Sequence, residues 1–154
     1  YEGAIKLMHA EEYSKAIRAF NELINSHSEE PEIQERARVL VAAAEKKLHE
    51  RERSVFRSAD DHYNMGIADL NRRQFDTATQ HLQHALKLSP KGDHILYALA
   101  AVNALQGKRD EALGFLKQAI HFRSENRFQA TRDSDFESLA DDADFKQLVT
   151  SSEN

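Results

Sequence analysis

Eight histidines are the first place to look for chemistry in this chain. His81 and His84 stand three apart, a spacing that places two imidazoles on one side of a helix, where a metal ion could bridge them. No acidic third ligand follows at helical spacing. Leu82 and Ala85, interleaved with them, point the apolar face inward and leave the pair on the flank or outside, as solvated polar residues. His62 and His94 fall close to expected helix starts, on the surface or in a groove. A catalytic histidine also needs an orienting acid and an activated nucleophile. There is no cysteine, and no G-x-S-x-G, P-loop, H-E-x-x-H or Rossmann glycine pattern. The acidic string Asp133, Asp135, Glu137, Asp141, Asp142 and Asp144 lacks the loop spacing of a calcium site and suits helix starts and caps better. The run Glu45 to Arg53 mixes charges and reads as a solvated helix face. These residues predict no catalytic group, no metal and no cofactor.

Composition narrows the partners. Lys and Arg total 21 against 26 Asp and Glu, a net charge of -5, which disfavours nucleic acid. No run of 18 apolar residues occurs, so direct membrane insertion is not expected. The lack of cysteine fits the cytoplasm. A chain opening on Tyr1 reads as a fragment or processed form, so the lack of a leader carries little weight. Five glycines and two prolines suit a helical protein rather than a turn-rich β-sandwich.

The elements that position these residues recur. Displaced by 34 positions, Met65 falls on Leu99, Gly66 on Ala100, Ala78 on Ala112, Leu82 on Leu116, Ala85 on Ala119 and Leu88 on Phe122. Small residues match small and large apolar match large, with helical period inside each unit. The first unit divides into helices over about 59–73 and 76–88, with Ser58 and Asp61 as a capping-box-like start and Pro90 as a stop. The second divides into about 93–106, capped by Asp93, and 109–122, with Gly107 between them. Gly66, Ala78, Ala85, Ala100, Ala112 and Ala119 allow antiparallel helices to approach, while Met65, Phe75, Leu82, Leu99 and Leu116 fill the seams. An earlier copy uses Tyr13, Ala16, Phe20 and Leu23. Its offset to Phe75 is 75 − 13 = 62, not twice 34, so the stretch between is irregular. It reads as a long helix over 31–53, started by Pro31, with a charged end and linker after it. Phe136, Leu139, Phe145, Leu148 and Val149 form an amphipathic C-terminal cap.

The segment NMGIADLNRRQFDTATQHLQHALKLSP resembles the tetratricopeptide repeat, through Met65-Gly66, Phe75, Ala78, Leu82, Ala85 and Pro90. The following copy carries Leu99-Ala100, Gly107, Ala112, Leu116 and Ala119, and departs at Arg109 for the aromatic and Ser124 for the proline. The resemblance implies an all-α fold: a short right-handed solenoid of antiparallel helix pairs, with an inserted long helix and a C-terminal capping helix. As one domain it divides into 1–28, 31–53, 59–90, 93–123 and 133–151. The resemblance further implies that the first helix of each pair lines a concave groove. Carried over by position, the groove residues are Tyr63, Asn64, Ile67 and Asn71, then His94, Tyr97, Ala101 and Ala104, and in the first pair Tyr1, Ile5, Met8 and His9. They lack the basic cluster with which family members clamp a peptide's terminal carboxylate. The implied function is a non-catalytic protein-interaction module that takes a peptide or partner helix in the groove. The alternative is a scaffold that self-assembles as a homo-oligomer through the N-terminal pair, with Ile5, Met8 and Phe20 partly exposed.

Overall fold

The computed structural model of the chain describes residues 1–150; position 151, the last of the expected cap, lies outside them. The described residues form eight α-helices and one 3-10 helix, and no strand. These are α1 (Glu2–His9), α2 (Tyr13–Ser26), α3 (Pro31–Asn71), α4 (Phe75–Leu88), α5 (Asp93–Leu105), α6 (Arg109–Phe122), α7 (Asn126–Arg132), the 3-10 helix (Ser134–Leu139) and α8 (Ala143–Thr150). Among the described residues, no helix is long and apolar enough to cross a membrane. The chain divides into two compact units, the first Tyr1–Ser54 and the second beginning at Val55.

α3 corrects one expectation. The linker after Arg53 and the separate helix start at Ser58 are absent; the helix runs unbroken through both. Residues 49–58 contain neither glycine nor proline, and Ser58 and Asp61 are tolerated inside a helix when nothing else interrupts the ladder.

Three hairpins close in the same way. Glu11, Arg73 and Gly107 have φ of 61°, 61° and 77° and stand two residues before α2, α4 and α6. In each, the next amide reaches back five residues: Glu12 N–H to Leu7 O, Gln74 to Asp69 and Lys108 to Asn103, all at 2.9 Å. The left-handed residue itself donates three residues back, to Met8, Leu70 and Ala104. This pair of hydrogen bonds is a Schellman closure, which satisfies carbonyls left open at a helix end. The spacings between these turns are 107 − 73 = 34 and 73 − 11 = 62, the same offsets that the apolar residues show.

In the first unit, Ala4, Ala16, Phe20 and Ala37 form the core, with Ile5, Met8, Leu23, Leu40 and Val41 half-buried around it. Phe20 is fully enclosed, contrary to its expected exposure, because small residues of α1 and α3 let both helices close over its ring. In the second unit, α5 is buried almost all round. Ile95, Leu99 and Val102 join Ala78, Leu82 and Ala85 of α4, while Leu96, Ala100 and Ala104 join Ala112, Leu116 and Ala119 of α6. Gly66 lets α3 meet α4: a Cβ there would stand 2.7 Å from Leu82 Cγ. Met65 was expected to fill that seam but is 50% exposed, since Gly66 occupies the inward position beside it.

The C-terminal segment folds back onto α5 and α6. Phe136, Leu139, Phe145 and Val149 are buried in the same cluster as α6. Its turns are built by the acidic string. Asp133 Oδ1 accepts from Asp135 N at 2.9 Å, and Asp142 Oδ1 accepts from Asp144 N at 2.9 Å and Phe145 N at 3.1 Å. Arg109, the residue that departs from the aromatic pattern, donates to Asp142, Asp144 and Asp110. These bonds hold the Asp142 carboxyl below its ordinary range.

Two substitutions test the shared turns. Arg73→Gly relieves a left-handed non-glycine residue and should stabilise the protein by about 0.5–1 kcal/mol; the exposed ion pair it gives up, to Asp135, is worth little. Gly107→Ala should cost about 1 kcal/mol at the same position of the next hairpin. Thermal unfolding reads both, and equal effects of the same sign would refute the shared turn geometry. Gly66→Val should destabilise by roughly 1–3 kcal/mol in the same assay, by forcing Leu82 out of place.

Candidate binding site

The second unit brings three of the expected groove residues together. Tyr63, from α3, and His94, from α5, meet edge to face, with ring centroids 4.6 Å apart at 80°. Tyr97 lies one turn along α5 from His94. These residues, with Asp93, Arg123, Glu125, Asn126 and Gln129, bound a cleft of about 280 Å³. α7 supplies one wall, a helix that the residue pattern between 123 and 133 does not announce.

Several of these groups are fixed. Asn126 is buried; its Nδ2 donates to Asp93 Oδ2 at 3.0 Å and to Ala119 O at 2.9 Å. One amide thus ties α5, α6 and α7 at the cleft floor. Asp93 was expected to cap α5 through its side chain. Gly92 takes the N-cap position and Asp93 is the first helical residue, its carboxylate engaged by Asn126. Tyr97 is buried, and its hydroxyl donates to Asp133 Oδ2 at 2.8 Å while its ring meets Phe136 edge-on. Burial first, then the Asp133 hydrogen bond and the charges of Asp133 and Asp135, push the Tyr97 phenol well above its ordinary pKa. Burial, then the charge of Asp93, raises Tyr63. Burial and Asp133 also raise the Asp135 carboxyl, against the opposing charge of Arg73.

The remaining expected residues are placed differently. Ala101 and Ala104 are buried in the cluster that holds Phe136 and Leu139, and Ser138 Oγ donates to Ala104 O at 3.3 Å. They are enclosed by the 3-10 helix instead of facing an open groove, because methyl side chains leave room for its two large apolar residues. Ile67 is half-buried against the α4–α5 core, and Asn64 and Asn71 are exposed. Tyr1, Ile5, Met8 and His9 belong to the first unit. There Tyr1 meets Phe20 edge-on at 6.3 Å, Ile5 and Met8 are half-buried, and His9 is exposed.

His81 and His84 do acquire a neighbour. His62, from α3, lies 5.9 Å from the first and 4.9 Å from the second, ring centre to ring centre. Asp69 Oδ2 is 3.7 Å from His81 Nε2. His62 and Asp69 reach α4 from α3, across a helix seam, so residue spacing along α4 does not reveal them. Among the described residues, no group of three such side chains is placed to hold a metal ion.

The cleft therefore offers an aromatic rim, carboxylates, a guanidinium and two side-chain amides. These groups suit hydrogen bonding to an extended polar backbone with an aromatic contact at the edge.

The raised phenols give a pH test. A neutral tyrosine held in the folded state contributes stability that is complete below pH about 10 and is lost as the pH rises through its folded-state value. In an absorbance titration at 295 nm, Tyr63 and Tyr97 should ionise above the ordinary phenol range. Tyr97→Phe should remove the latest step and lower stability by about 1 kcal/mol. Ionisation of Tyr63 and Tyr97 near pH 10 would contradict this geometry.

Neither a family model, a curated protein nor a solved structure matches this chain.

Proposed function

We propose that the chain is a non-catalytic interaction module of tetratricopeptide type, and that it takes a peptide segment of a partner protein in the cleft at the start of α5. The observation that carries this reading is the meeting of Tyr63 and His94 at the mouth of that cleft. They come from the first helices of two successive hairpins, the positions from which a tetratricopeptide array is expected to present its ligand-facing residues. Two further features support it. The three hairpins share one Schellman closure at the same offsets as the apolar pattern, as stacked copies of one unit would. Small residues also line the α3–α4 and α5–α6 seams, with Gly66 against Leu82, and Ala100 beside Ala112 and Ala119.

The peptide occupies the cleft through backbone hydrogen bonds to Gln129 and the Asp93–Asn126 pair, with one side chain against Tyr63 and His94. Ala101 and Ala104 take no part, being under the 3-10 helix. The reading is tested by selecting peptides from a display library on the full chain, then measuring their affinity for Tyr63→Ala and His94→Ala variants. Each substitution should weaken binding by about tenfold, the scale of one aromatic anchor. Selected peptides that bind the double variant as tightly as the parent would overturn it.

A further inference from the structure

A second cavity lies elsewhere in the second unit and shares no residue with the cleft. It measures about 410 Å³ and is bounded by α6, α7 and α8. Lys117 and Arg127 line it, together with Gln118, His121, Ile120, Phe122 and Leu148. Among the described residues no acidic side chain lines it, although Asp and Glu outnumber Lys and Arg in the chain by 26 to 21.

Arg127 is the unusual member. It is only 9% exposed, and its Nε and Nη2 are closed to solvent with no hydrogen-bond partner among the described residues. A guanidinium cannot give up its charge, so burial without an acceptor is costly. Nε and Nη2 are also the two nitrogens of one edge. Their N–H bonds point the same way and match the two oxygens of a carboxylate. The structure thus holds an unused carboxylate fork, closed to solvent, on a residue that lines a cavity with both polar and apolar walls.

We propose that this cavity binds a carboxylate carried on an apolar body. Arg127 receives the carboxylate after its last side-chain torsions turn that edge toward the cavity it already lines. Lys117 adds positive potential, and Ile120, Phe122 and Leu148 hold the apolar part. The planar two-nitrogen edge of Arg127 matches the two oxygens of a carboxylate, and Ile120, Phe122 and Leu148 offer an apolar body contacts that a free phosphate does not use. The site stands apart from the peptide cleft, and either can fail without the other.

The test is a proton–nitrogen NMR titration of the full chain with octanoate, N-acetyl-leucine and the neutral N-acetyl-leucinamide at matched ionic strength. Both carboxylates should shift amides of residues 117–127 and the Arg127 Nε–H, while the neutral amide leaves them in place. Tighter binding of N-acetyl-leucine would assign the site to peptide carboxylates, and tighter binding of octanoate to fatty-acid-like ligands. Arg127→Gln should weaken carboxylate binding by about tenfold or more. Lys117→Gln, at an exposed position that leaves the fold intact, should weaken it by about threefold through lost potential. Failure of both carboxylates to bind, equal shifts with the neutral amide, shifts confined to other helices, or unchanged affinity in Lys117→Gln together with Arg127→Gln would overturn the proposal.

Discussion

α5 imposes the constraint that organises the second unit. Of its thirteen residues, ten are buried, so it has no face to spare for water. A helix that is apolar all round must be enclosed by neighbours. α4 covers the side of Ile95, Leu99 and Val102, and α6 covers part of the other. What remains, around Tyr97, Ala101 and Ala104, is covered by the returning 3-10 helix with Phe136 and Leu139. The face of α5 around Ala101 and Ala104 is therefore used for packing, and the cleft lies at the end of α5 where Asp93 and His94 begin it.

The polar groups around α5 make that covering segment specific. Phe136 alone would bury area without fixing direction. Tyr97 to Asp133, Asn126 to Asp93, and Arg109 to Asp142 fix the segment at three points along its path. Two of the three carboxylates also accept from backbone amides and so start the next turn of structure. Asp133 and Asp142 thereby link chain direction to tertiary contact. The acidic composition of the tail has a structural purpose here, as turn and cap chemistry.

Much of this was legible in the sequence, and what was not has physical causes. The 34-residue offset located α4, α5 and α6 because Ala, Gly and Leu at fixed places are required wherever helices approach closely; Arg109–Phe122 was placed to the residue. The unbroken course of α3 was hidden because capping residues such as Ser58 and Asp61 signal a start only where the preceding turn breaks, and nothing in residues 49–58 breaks it. α7 carries Asn126 and Arg127, polar residues that are buried, so its pattern does not read as amphipathic. It supplies a wall of the cleft and the guanidinium of the second cavity. The approach of His62 to His81 and His84 depends on how two helices pack, which residue spacing on one helix cannot show.

The enclosure of α5 is most directly measured by native-state amide hydrogen exchange. If the 3-10 helix and α6 cover it as described, amides from Tyr97 to Ala104 exchange only through unfolding of the whole second unit, and share one dependence on denaturant with the core of α6. Exchange of the Ala101 and Ala104 amides through a small local opening, faster than α6 and insensitive to denaturant, would mean that this face is open to solvent and that the account of α5 is wrong.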